Sequence, residues 1–206
     1  MTVFDQYASE YDGWFDENQP LFQAEINALK RVVPQMGEGI EIGAGTGRFA
    51  LAVGIKLGVE PSRSMAQIAR HRGLMVCQAM GEQLPFPANQ FDHVLLVTVI
   101  CFVQDMLTLL QEAYRVLIPG GLLINAFIDR NSTLGQVYEA QKNSNKFYQQ
   151  AKFYSSEQVA AITIQAGFRQ LAFSQTILGL PTETPDFDAI QPGYGQGAFV
   201  VLSSRK

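Results

Sequence analysis

The hydrophobic and polar positions follow one spacing before residue 36 and another after it. In the first part, apolar residues recur every three or four positions, which is typical of amphipathic helices. The clearest example is the series Phe22, Ile26, Leu29 and Val33. After "PQMGEG", short apolar runs alternate with helical patterns. This alternation predicts an α/β fold in which βαβ units form a mostly parallel sheet with helices on both faces.

Five apolar runs in the middle of the chain predict consecutive strands. They are Gly39–Ile42, Ile55–Glu60, Leu74–Ala79, Phe91–Val99 and Gly121–Asp129. The helices between them are predicted to begin near Thr46, at Ser62 and at Asp105, because these residue types cap helices well. Two further strand-like runs, Phe168–Leu178 and Gly197–Ser203, close the chain. The long loop between them is of a kind that often carries function.

Helical segments flank this core on both sides. Thr2 with Asp5 three residues later resembles a capping box, and Pro20 suits the first turn of a second helix. The polar, weakly amphipathic stretch Ser132–Lys152 is interpreted as an inserted lid helix. No repeat or linker divides the chain, so we expect a single domain. Its expected parts are a helical cap (1–36), a core (37–129) and a C-terminal part with the lid, a last helix and the final strands (130–206).

The composition narrows the class of protein. A hydrophobic fraction of 47% and a charged fraction of 17% argue against disorder. The net charge of −4 provides no basic field for nucleic acid or an anionic membrane. The longest apolar run, Val94 to Val103, is too short to span a bilayer. Cys77 and Cys101 lie in apolar runs as buried free thiols would, so we expect a cytoplasmic protein.

The stretch "GIEIGAGTGRFA" is the first chemical signal, because a strand enters a glycine-rich turn and then a helix. Glycines in such a turn either allow tight packing of the strand against the helix or let backbone N–H groups approach a ligand closely. Glu60 ends the next strand, where a carboxylate can accept both hydroxyls of a ribose. Turn and acid together predict a nucleoside cofactor. Arg48 stands at the last position of the G-x-G-x-x-G pattern, which weighs against NAD as the cofactor. The sequence has no G-K-[S/T] motif, which excludes a P-loop.

Four stretches in order carry a resemblance to a known family. They are "EIGAGTGRF", "GVEPSRSMAQIAR", "MGEQLPFPANQFDHVLLV" and "EAYRVLIPGGLLI". Over residues 37–129 the chain resembles the class I S-adenosylmethionine-dependent methyltransferases, in the small bacterial subgroup similar to ubiquinone and menaquinone C-methyltransferases. The resemblance implies a Rossmann-like, seven-stranded sheet whose last strand lies antiparallel beside the fifth. It also implies S-adenosyl-L-methionine as cofactor and methyl transfer as activity.

The resemblance assigns cofactor contacts by position. Those it places at the methionine moiety are Glu41, Gly43, Ala44, Gly45 and Gly47. Glu60 would bind the ribose hydroxyls, while Pro61 and Met65 would pack near the adenine. Many relatives have Asp in a "GDAE-x-LPF"-like segment where this chain has Met80 in "AMGEQLPF". The expected adenine contacts are therefore backbone at Met80 and Gly81, an apolar wall, and the Glu82 side chain, with ordinary core packing as the alternative for Met80.

The end of the fourth strand and the first helix should meet at the reacting methyl group. The resemblance places Thr98, Val99 and Ile100 beside that group, and it places the N-terminal helices over the cofactor cleft. Helical spacing puts Phe4, Tyr7, Tyr11 and Trp14/Phe15 on one stripe. Core packing explains Phe4 and Trp14, whereas Tyr7 and Tyr11 are expected to cover the methionine end of the cofactor and attract its sulfonium.

The chemistry needs no metal, because methyl transfer from a sulfonium rests on holding donor and acceptor in line. His71 and His93 have no ligand spacing with the cysteines and are interpreted as structural. Four side chains are candidates for a general base, although each is also explained as a cap, turn or solvated group. They are Tyr11, Asp129, Glu183 and Asp186.

Aromatic side chains outside the matched core predict the acceptor pocket, with core packing as the alternative for most of them. They are Trp14, Phe15, Phe102, Tyr138, Phe147, Tyr148, Phe153, Phe187 and Tyr194. We expect a small, partly apolar or aromatic acceptor, because neither an N-P-P-[YF] motif nor a basic patch for nucleic acid is present. The alternatives are an NAD-type oxidoreductase and a catalytically silent protein that binds S-adenosylmethionine or S-adenosylhomocysteine.

Overall fold

The computed structural model describes residues 2–178 and 189–206, which form a layered α/β structure. The helices are α1 (Val3–Gln6), α2 (Ala8–Glu17), α3 (Gln19–Lys30), α4 (Arg48–Ala52), α5 (Arg63–His71), α6 (Met106–Val116), α7 (Thr133–Gln141) and α8 (Ser156–Gln165). The strands are β1 (Gly39–Ile42), β2 (Leu57–Val59), β3 (Met75–Cys77), β4 (Phe91–Val97), β5 (Leu117–Ile128), β6 (Arg169–Leu178), β7 (Gln191–Pro192) and β8 (Gly197–Arg205). The seven predicted strands are all found, with changes only at their ends.

All the strands belong to one sheet in the order β3-β2-β1-β4-β5-β8-β6-β7. The neighbouring pairs from β3 to β5 are parallel, and β8 is antiparallel to both β5 and β6. The prediction that the last strand inserts antiparallel beside the fifth is thus confirmed. The expected count of seven strands is wrong, because Gln191–Pro192 pairs with β6 as an eighth strand in the described part. Proline has no N–H to donate, which suits this edge position.

Local cap residues fix many of the helix starts. Ser62 and Asp105 accept hydrogen bonds as the N-caps of α5 and α6, as predicted. The capping boxes begun by Thr2 and Ser155 are also present. The predicted first helix is interrupted at Tyr7, whose non-helical backbone separates α1 from α2.

The predicted lid is only partly helical. Helix α7 ends at Gln141, where the short 3-10 helix Lys142–Ser144 follows, and turns then lead to residue 152. This segment is rich in Gln, Asn and Lys and has no continuous apolar stripe of the kind that stabilises a long helix by packing. The lid is therefore a helix followed by a folded turn segment.

The sheet buries side chains on both faces. Leu95 and Val97 of β4 belong to the core cluster beneath α2, α3 and α4. Val94 and Leu96 belong to the cluster beneath α6 and α8 on the other face. From Val94 to Val97, strand β4 is therefore apolar at every position, as expected for a central parallel strand covered on both sides. The carboxyl ends of β1, β2 and β4 meet at the edge where the candidate site lies.

Candidate active site

The glycine-rich turn after β1 has two glycines with different tasks. Gly43 has a φ of 72°, and a Cβ there would lie 2.3 Å from Cγ2 of Val99. Gly45 has a φ of 54°, and a Cβ there would meet no protein atom within 4 Å. Left-handed backbone favours glycine at both positions. Gly43 is thus required by protein packing, whereas Gly45 leaves space open in the cleft that it lines.

Two buried carboxyl groups hold this turn in place. One oxygen of Glu60 accepts the N–H of Gly45 at 2.8 Å, and the other accepts the N–H of Ser62 at 2.9 Å. Glu41 lies behind the turn, where it accepts the N–H of Ala50 at 2.8 Å. Burial raises the pKa of both carboxyl groups, and the backbone donors oppose that shift. A carboxylate oxygen has two lone pairs, so Glu60 can still accept hydrogen bonds from a ligand.

A cleft opens in front of the turn, with a volume of about 130 Å³. The predicted site residues that line it are Tyr11, Gly43, Gly45, Glu60, Pro61, Met65, Met80, Gly81, Glu82, Thr98 and Val99. The predicted site residues that do not line it are Tyr7, Glu41, Ala44, Gly47 and Ile100. Of these, Glu41 and Ala44 line a small side pocket behind the turn, and Gly47 faces Ala69 and Leu74. Ile100 lines a neighbouring cavity instead.

Residues 80–82 form another part of the cleft wall. Met80 is 48% exposed, so its alternative interpretation as ordinary core is wrong. One oxygen of Glu82 accepts the N–H of Gln104 at 3.0 Å. The other oxygen is buried and has no hydrogen-bond partner within the described residues. Buried acceptors are normally satisfied, so this oxygen is available to a donor on a ligand in the cleft.

The aromatic stripe of the first helices is divided between several roles. Tyr11 lines the cleft; burial raises the pKa of its hydroxyl, and a hydrogen bond from Thr98 opposes that shift. Phe4, interpreted from the sequence as core, also lines the cleft, with its ring centroid 5.6 Å from that of Tyr11. Tyr7 is half-buried and lines neither the cleft nor its neighbouring cavity, and Nζ of Lys146 is 3.9 Å from its ring centroid. The helix break at Tyr7 accompanies this separation of the two tyrosines.

Asp12 anchors the cap helix to the glycine-rich turn, a role that the sequence reasoning missed. Its carboxylate receives hydrogen bonds from the guanidinium groups of Arg48 and Arg72 and from the Thr46 hydroxyl. Although burial acts in the other direction, these partners hold the pKa of Asp12 well below its usual range. Arg48 also binds Asp16 at 2.8 Å. The arginine that departs from the G-x-G-x-x-G pattern thus fastens the cap over the site.

A second cavity, with a volume of about 170 Å³, adjoins the cleft. Seven of the aromatic side chains predicted for the acceptor pocket line it. They are Trp14, Phe15, Phe102, Tyr138, Phe147, Tyr148 and Phe153. Tyr194 does not, because it is exposed and packs on Phe173. Phe187 lies outside the described residues. Tyr11, Thr98 and Phe102 line both spaces, so the two meet at the end of β4.

Thr98 has a φ of 53° at this junction. A left-handed backbone is a genuine outlier for a β-branched residue, and such strain persists only where the surroundings enforce it. Its N–H donates to the carbonyl of Ala126 at 2.8 Å, and the Cys101 thiol donates to its carbonyl. The strained residue therefore has a fixed position between the two spaces.

Glu25 of α3 is the one carboxyl group that lines the second cavity within the described residues. It is 6% exposed, and burial raises its pKa to about 8. The sequence reasoning missed it, although an acid three residues after Phe22 and four before Leu29 stands on an apolar helical face, which is a usable signal. Among the predicted base candidates, Asp129 accepts from the Asn131 N–H and the Ser156 hydroxyl as a turn residue. Glu183 and Asp186 lie outside the described residues.

The described residues contain no cluster of His, Cys, Asp and Glu suited to a metal ion. His93 is buried under Gly39, and burial lowers its pKa, in keeping with a structural role. None of the helices in the described parts of the chain has both the length and the apolar character that a transmembrane span requires.

Fold and site together define a class. Strand order, an antiparallel insertion beside β5, a glycine-rich turn after β1 and an acid after β2 describe a class I methyltransferase fold with a nucleoside cofactor cleft. The cleft fits S-adenosylmethionine: Glu60 offers carboxylate acceptors, Glu82 offers a buried, unpartnered oxygen, and Gly45 leaves the space that a Cβ would fill. These groups suit hydroxyl and amino donors on a nucleoside.

Comparisons with known proteins agree. A family model described as a methyltransferase domain matches residues 40–125. An uncharacterised protein of Methanocaldococcus jannaschii is 46% identical over 206 residues, covering 100% of both chains. A Thermotoga maritima crystal structure, described as an S-adenosylmethionine-dependent methyltransferase and possible histamine N-methyltransferase, is 43% identical, with a TM-score of 0.95 over 99% of this chain and 98% of that one. A demethylmenaquinone methyltransferase of Oceanobacillus iheyensis is 28% identical over 113 residues, 48% of each chain.

The chain therefore belongs to the class I S-adenosylmethionine-dependent methyltransferases, as the resemblance predicted. It is an enzyme of that family, and S-adenosyl-L-methionine is its cofactor.

Proposed function

We propose that this methyltransferase transfers the methyl group to a small, partly apolar or aromatic molecule held in the second cavity. The observation that supports this is the junction at Tyr11, Thr98 and Phe102, where an aromatic cavity opens directly onto the cofactor cleft. An in-line displacement requires donor and acceptor in contact from opposite sides of one methyl group. Two adjoining spaces with a common wall meet that requirement.

The assignment of cofactor contacts is part of the proposal. When bound, S-adenosylmethionine supplies a methyl group on a sulfonium, which needs no further activation by a metal. Gly45 and Glu60 would hold the ribose and methionine side, and the Glu82 carboxylate would accept from the adenine. Met80 would form the apolar wall that replaces the Asp of many relatives. Tyr11 would close the cleft above the reacting group, where its ring face attracts a positive charge.

The lining of the second cavity favours a small acceptor with apolar or aromatic surface. Its described lining holds aromatic and aliphatic side chains and no lysine, arginine or histidine, which disfavours nucleic acid and other polyanions. Two relatives, described as a possible histamine N-methyltransferase and a demethylmenaquinone methyltransferase, are named for ring compounds.

Calorimetry and a transfer assay separate this proposal from its alternatives. We expect S-adenosylhomocysteine to bind and NAD to show no saturable binding, since Arg48 stands at the last position of the G-x-G-x-x-G pattern, where dinucleotide sites have a small residue. Radiolabelled S-adenosylmethionine with phenol, quinol, amine and carboxylate acceptors should label at least one class. Saturable binding of NAD alone would favour the oxidoreductase. Cofactor binding without transfer to any class would favour a silent binding protein.

Replacing Glu60 with glutamine is expected to weaken S-adenosylhomocysteine binding by about tenfold or more. One of the backbone N–H groups of Gly45 and Ser62 would face an amide NH₂ instead of an oxygen, and a hydrogen bond to a charged acceptor is worth about 1.5–3 kcal/mol. Isothermal titration calorimetry measures the change. The exposed Glu17→Gln variant is the control for charge, and equal affinity of wild type and Glu60→Gln would contradict the ribose assignment.

A further inference from the structure

Glu25 stands alone in the acceptor cavity. It projects from the middle of α3 and lines a wall otherwise formed mainly by aromatic and aliphatic side chains. It is 6% exposed, yet the described part of the chain provides no hydrogen bond or ion pair to its carboxyl group. An acid is rarely buried without a partner, because desolvation of the charged form is costly. The described residues thus leave this carboxyl group open to a partner, and a ligand in the cavity is in position to supply one.

Four other acidic groups around Glu25 stay neutral near pH 7. Tyr11 on α2, Tyr138 on α7, Tyr148 after the 3-10 helix and Cys101 after β4 line the same cavity. Burial raises the pKa of each, to about 12 for Tyr138 and Cys101. The described lining thus has one carboxyl group and no lysine, arginine or histidine. A cation can pair with the ionised form of Glu25, whereas an anion finds no positive partner among these side chains.

The aromatic walls support the same sign of charge. Tyr138 and Tyr148 pack with ring centroids 5.0 Å apart, and Trp14 and Phe15 lie 5.3 Å apart on the cap helix. Ring faces attract cations, with a larger effect where water is excluded. An ammonium group in this cavity would therefore lie near the Glu25 carboxyl group and several aromatic rings, whereas its organic part would contact apolar surface.

We propose that Glu25 is the acceptor-binding residue for an amine, so that the methyl acceptors of this enzyme are small amines with an aromatic or alkyl body. The inference rests on the proposed function, because it assigns a substrate class to the same cavity. A carboxylate acceptor could form no ion pair with Glu25 and would be repelled by its ionised form. A neutral alcohol would gain no ion pair.

Binding of the amine includes a defined proton movement. At pH 7 the Glu25 carboxyl group of the free protein is mostly protonated, because its pKa is raised to about 8. When an ammonium ion enters, the carboxyl proton leaves to solvent and a carboxylate–ammonium pair remains. When the neutral amine enters, the carboxyl proton moves to its nitrogen and the same pair results. No bond to carbon forms or breaks in this step, and the ammonium form has no lone pair for methyl transfer. Before transfer its proton returns to the Glu25 carboxylate, and the neutral nitrogen then forms the bond to the methyl carbon as the carbon–sulfur bond of the donor breaks, with that electron pair remaining on sulfur.

Calorimetry with matched probes tests the assignment. Phenethylamine, phenethyl alcohol and hydrocinnamate share a one-ring body and differ in charge, and butylamine with butanol provides an alkyl pair. Each is titrated at pH 7 into the full-length protein saturated with S-adenosylhomocysteine, as wild type, Glu25→Gln, Glu25→Asp and the exposed control Glu17→Gln. Titrations in two buffers of different ionisation enthalpy report proton release. Glutamine has the shape of protonated glutamate, so circular dichroism should show a folded variant.

The expected result is that wild type and Glu17→Gln bind at least one amine more tightly than its alcohol and release protons on binding ammonium. Glu25→Gln should lose about tenfold or more in amine affinity, and the proton release with it, while alcohol affinity stays unchanged. Glu25→Asp should recover part of the amine affinity. Wild type that binds no amine, or Glu25→Gln that binds amines as well as wild type, would overturn the assignment.

Failure of the Glu25 assignment can be distinguished from failure of the proposed function. If the assignment to Glu25 fails while S-adenosylhomocysteine binds and a phenol or quinol is methylated, methyl transfer to a small molecule stands and only the amine class is lost. If no acceptor of any class is methylated, the proposed function itself fails.

Discussion

Glu25→Gln is expected to become more stable than wild type as pH rises from about 4.5 to 8. Burial raises the pKa of Glu25 from 4.5 to about 8, so over this interval the unfolded chain has released a proton that the folded protein keeps. Wild-type stability contributed by this group therefore falls with increasing pH, and the loss is complete above pH 8. At 1.36 kcal/mol per pKa unit, the full effect is on the order of a few kcal/mol.

Thermal unfolding at pH 4.5, 6, 7 and 8.5 checks this prediction. The difference between wild type and Glu25→Gln is the quantity to follow, because the titration of Glu41 and Glu60 is common to both proteins and cancels. Near pH 4.5 the two melting temperatures should nearly agree, and at pH 8.5 the variant should melt about 5–10 °C higher. Glu17→Gln should follow wild type. Parallel curves for wild type and Glu25→Gln would show that Glu25 is ionised at neutral pH, contrary to the raised pKa.

Asp12→Asn is expected to lower both the free energy of unfolding and the affinity for the cofactor product. Asp12 is the common partner of Arg48, Arg72 and Thr46, and its side chain is 17% exposed. Breaking a buried ion pair leaves the other charge uncompensated and costs about 3–5 kcal/mol; partial exposure here reduces the expected loss to about 2–3 kcal/mol. Helix α2 carries Tyr11 over the cleft, so we also expect about tenfold weaker binding of S-adenosylhomocysteine.

Asp16→Asn is the matched control, because Asp16 binds the same Arg48 but its side chain is 62% exposed. An exposed ion pair is worth about 0–1 kcal/mol, so this variant should remain close to wild type in both measurements. Chemical denaturation gives the stabilities, and calorimetry gives the affinities. Equal behaviour of the Asp12 and Asp16 variants would mean that the cap is held by its aromatic packing alone. The cap contribution of Asp12 should also fall at low pH, as its lowered pKa is approached.

The parts of the fold that depend on local pattern could be predicted from sequence. Strand β4 carries the apolar run Val94–Val97, and Ser62 and Asp105 are strong cap residues, so their elements were placed correctly. The break at Tyr7 and the turns after Gln141 were missed because they depend on packing rather than on a breaker residue. The pairing of Gln191–Pro192 with β6 was missed because two residues carry no periodic signal.

In the candidate site, too, the residues within local motifs could be predicted, whereas those that depend on three-dimensional packing could not. Contiguous motifs brought Gly45, Glu60 and Glu82 to one cleft, where the structure also places them. Asp12 and Glu25 were missed because each acquires its role from residues distant in the chain: Asp12 from Arg48 and Arg72, and Glu25 from an aromatic cavity built by several elements. An acid in an apolar helical stripe is a signal, but only three-dimensional packing shows whether it faces a partner, solvent or a ligand.

The residues after α7 reach across the site to the N-terminal cap. Nζ of Lys146 is 2.6 Å from a carboxylate oxygen of Glu10, and the Phe147 ring contacts those of Phe4 and Tyr11. Phe147 lines the acceptor cavity, while Phe4 and Tyr11 line the cofactor cleft. A ligand that orders the N-terminal cap therefore also orders the residues after α7, and the reverse holds as well. The second ligand then has less conformational entropy to remove when it binds. By thermodynamic linkage, the factor by which the cofactor changes acceptor affinity equals the factor by which the acceptor changes cofactor affinity.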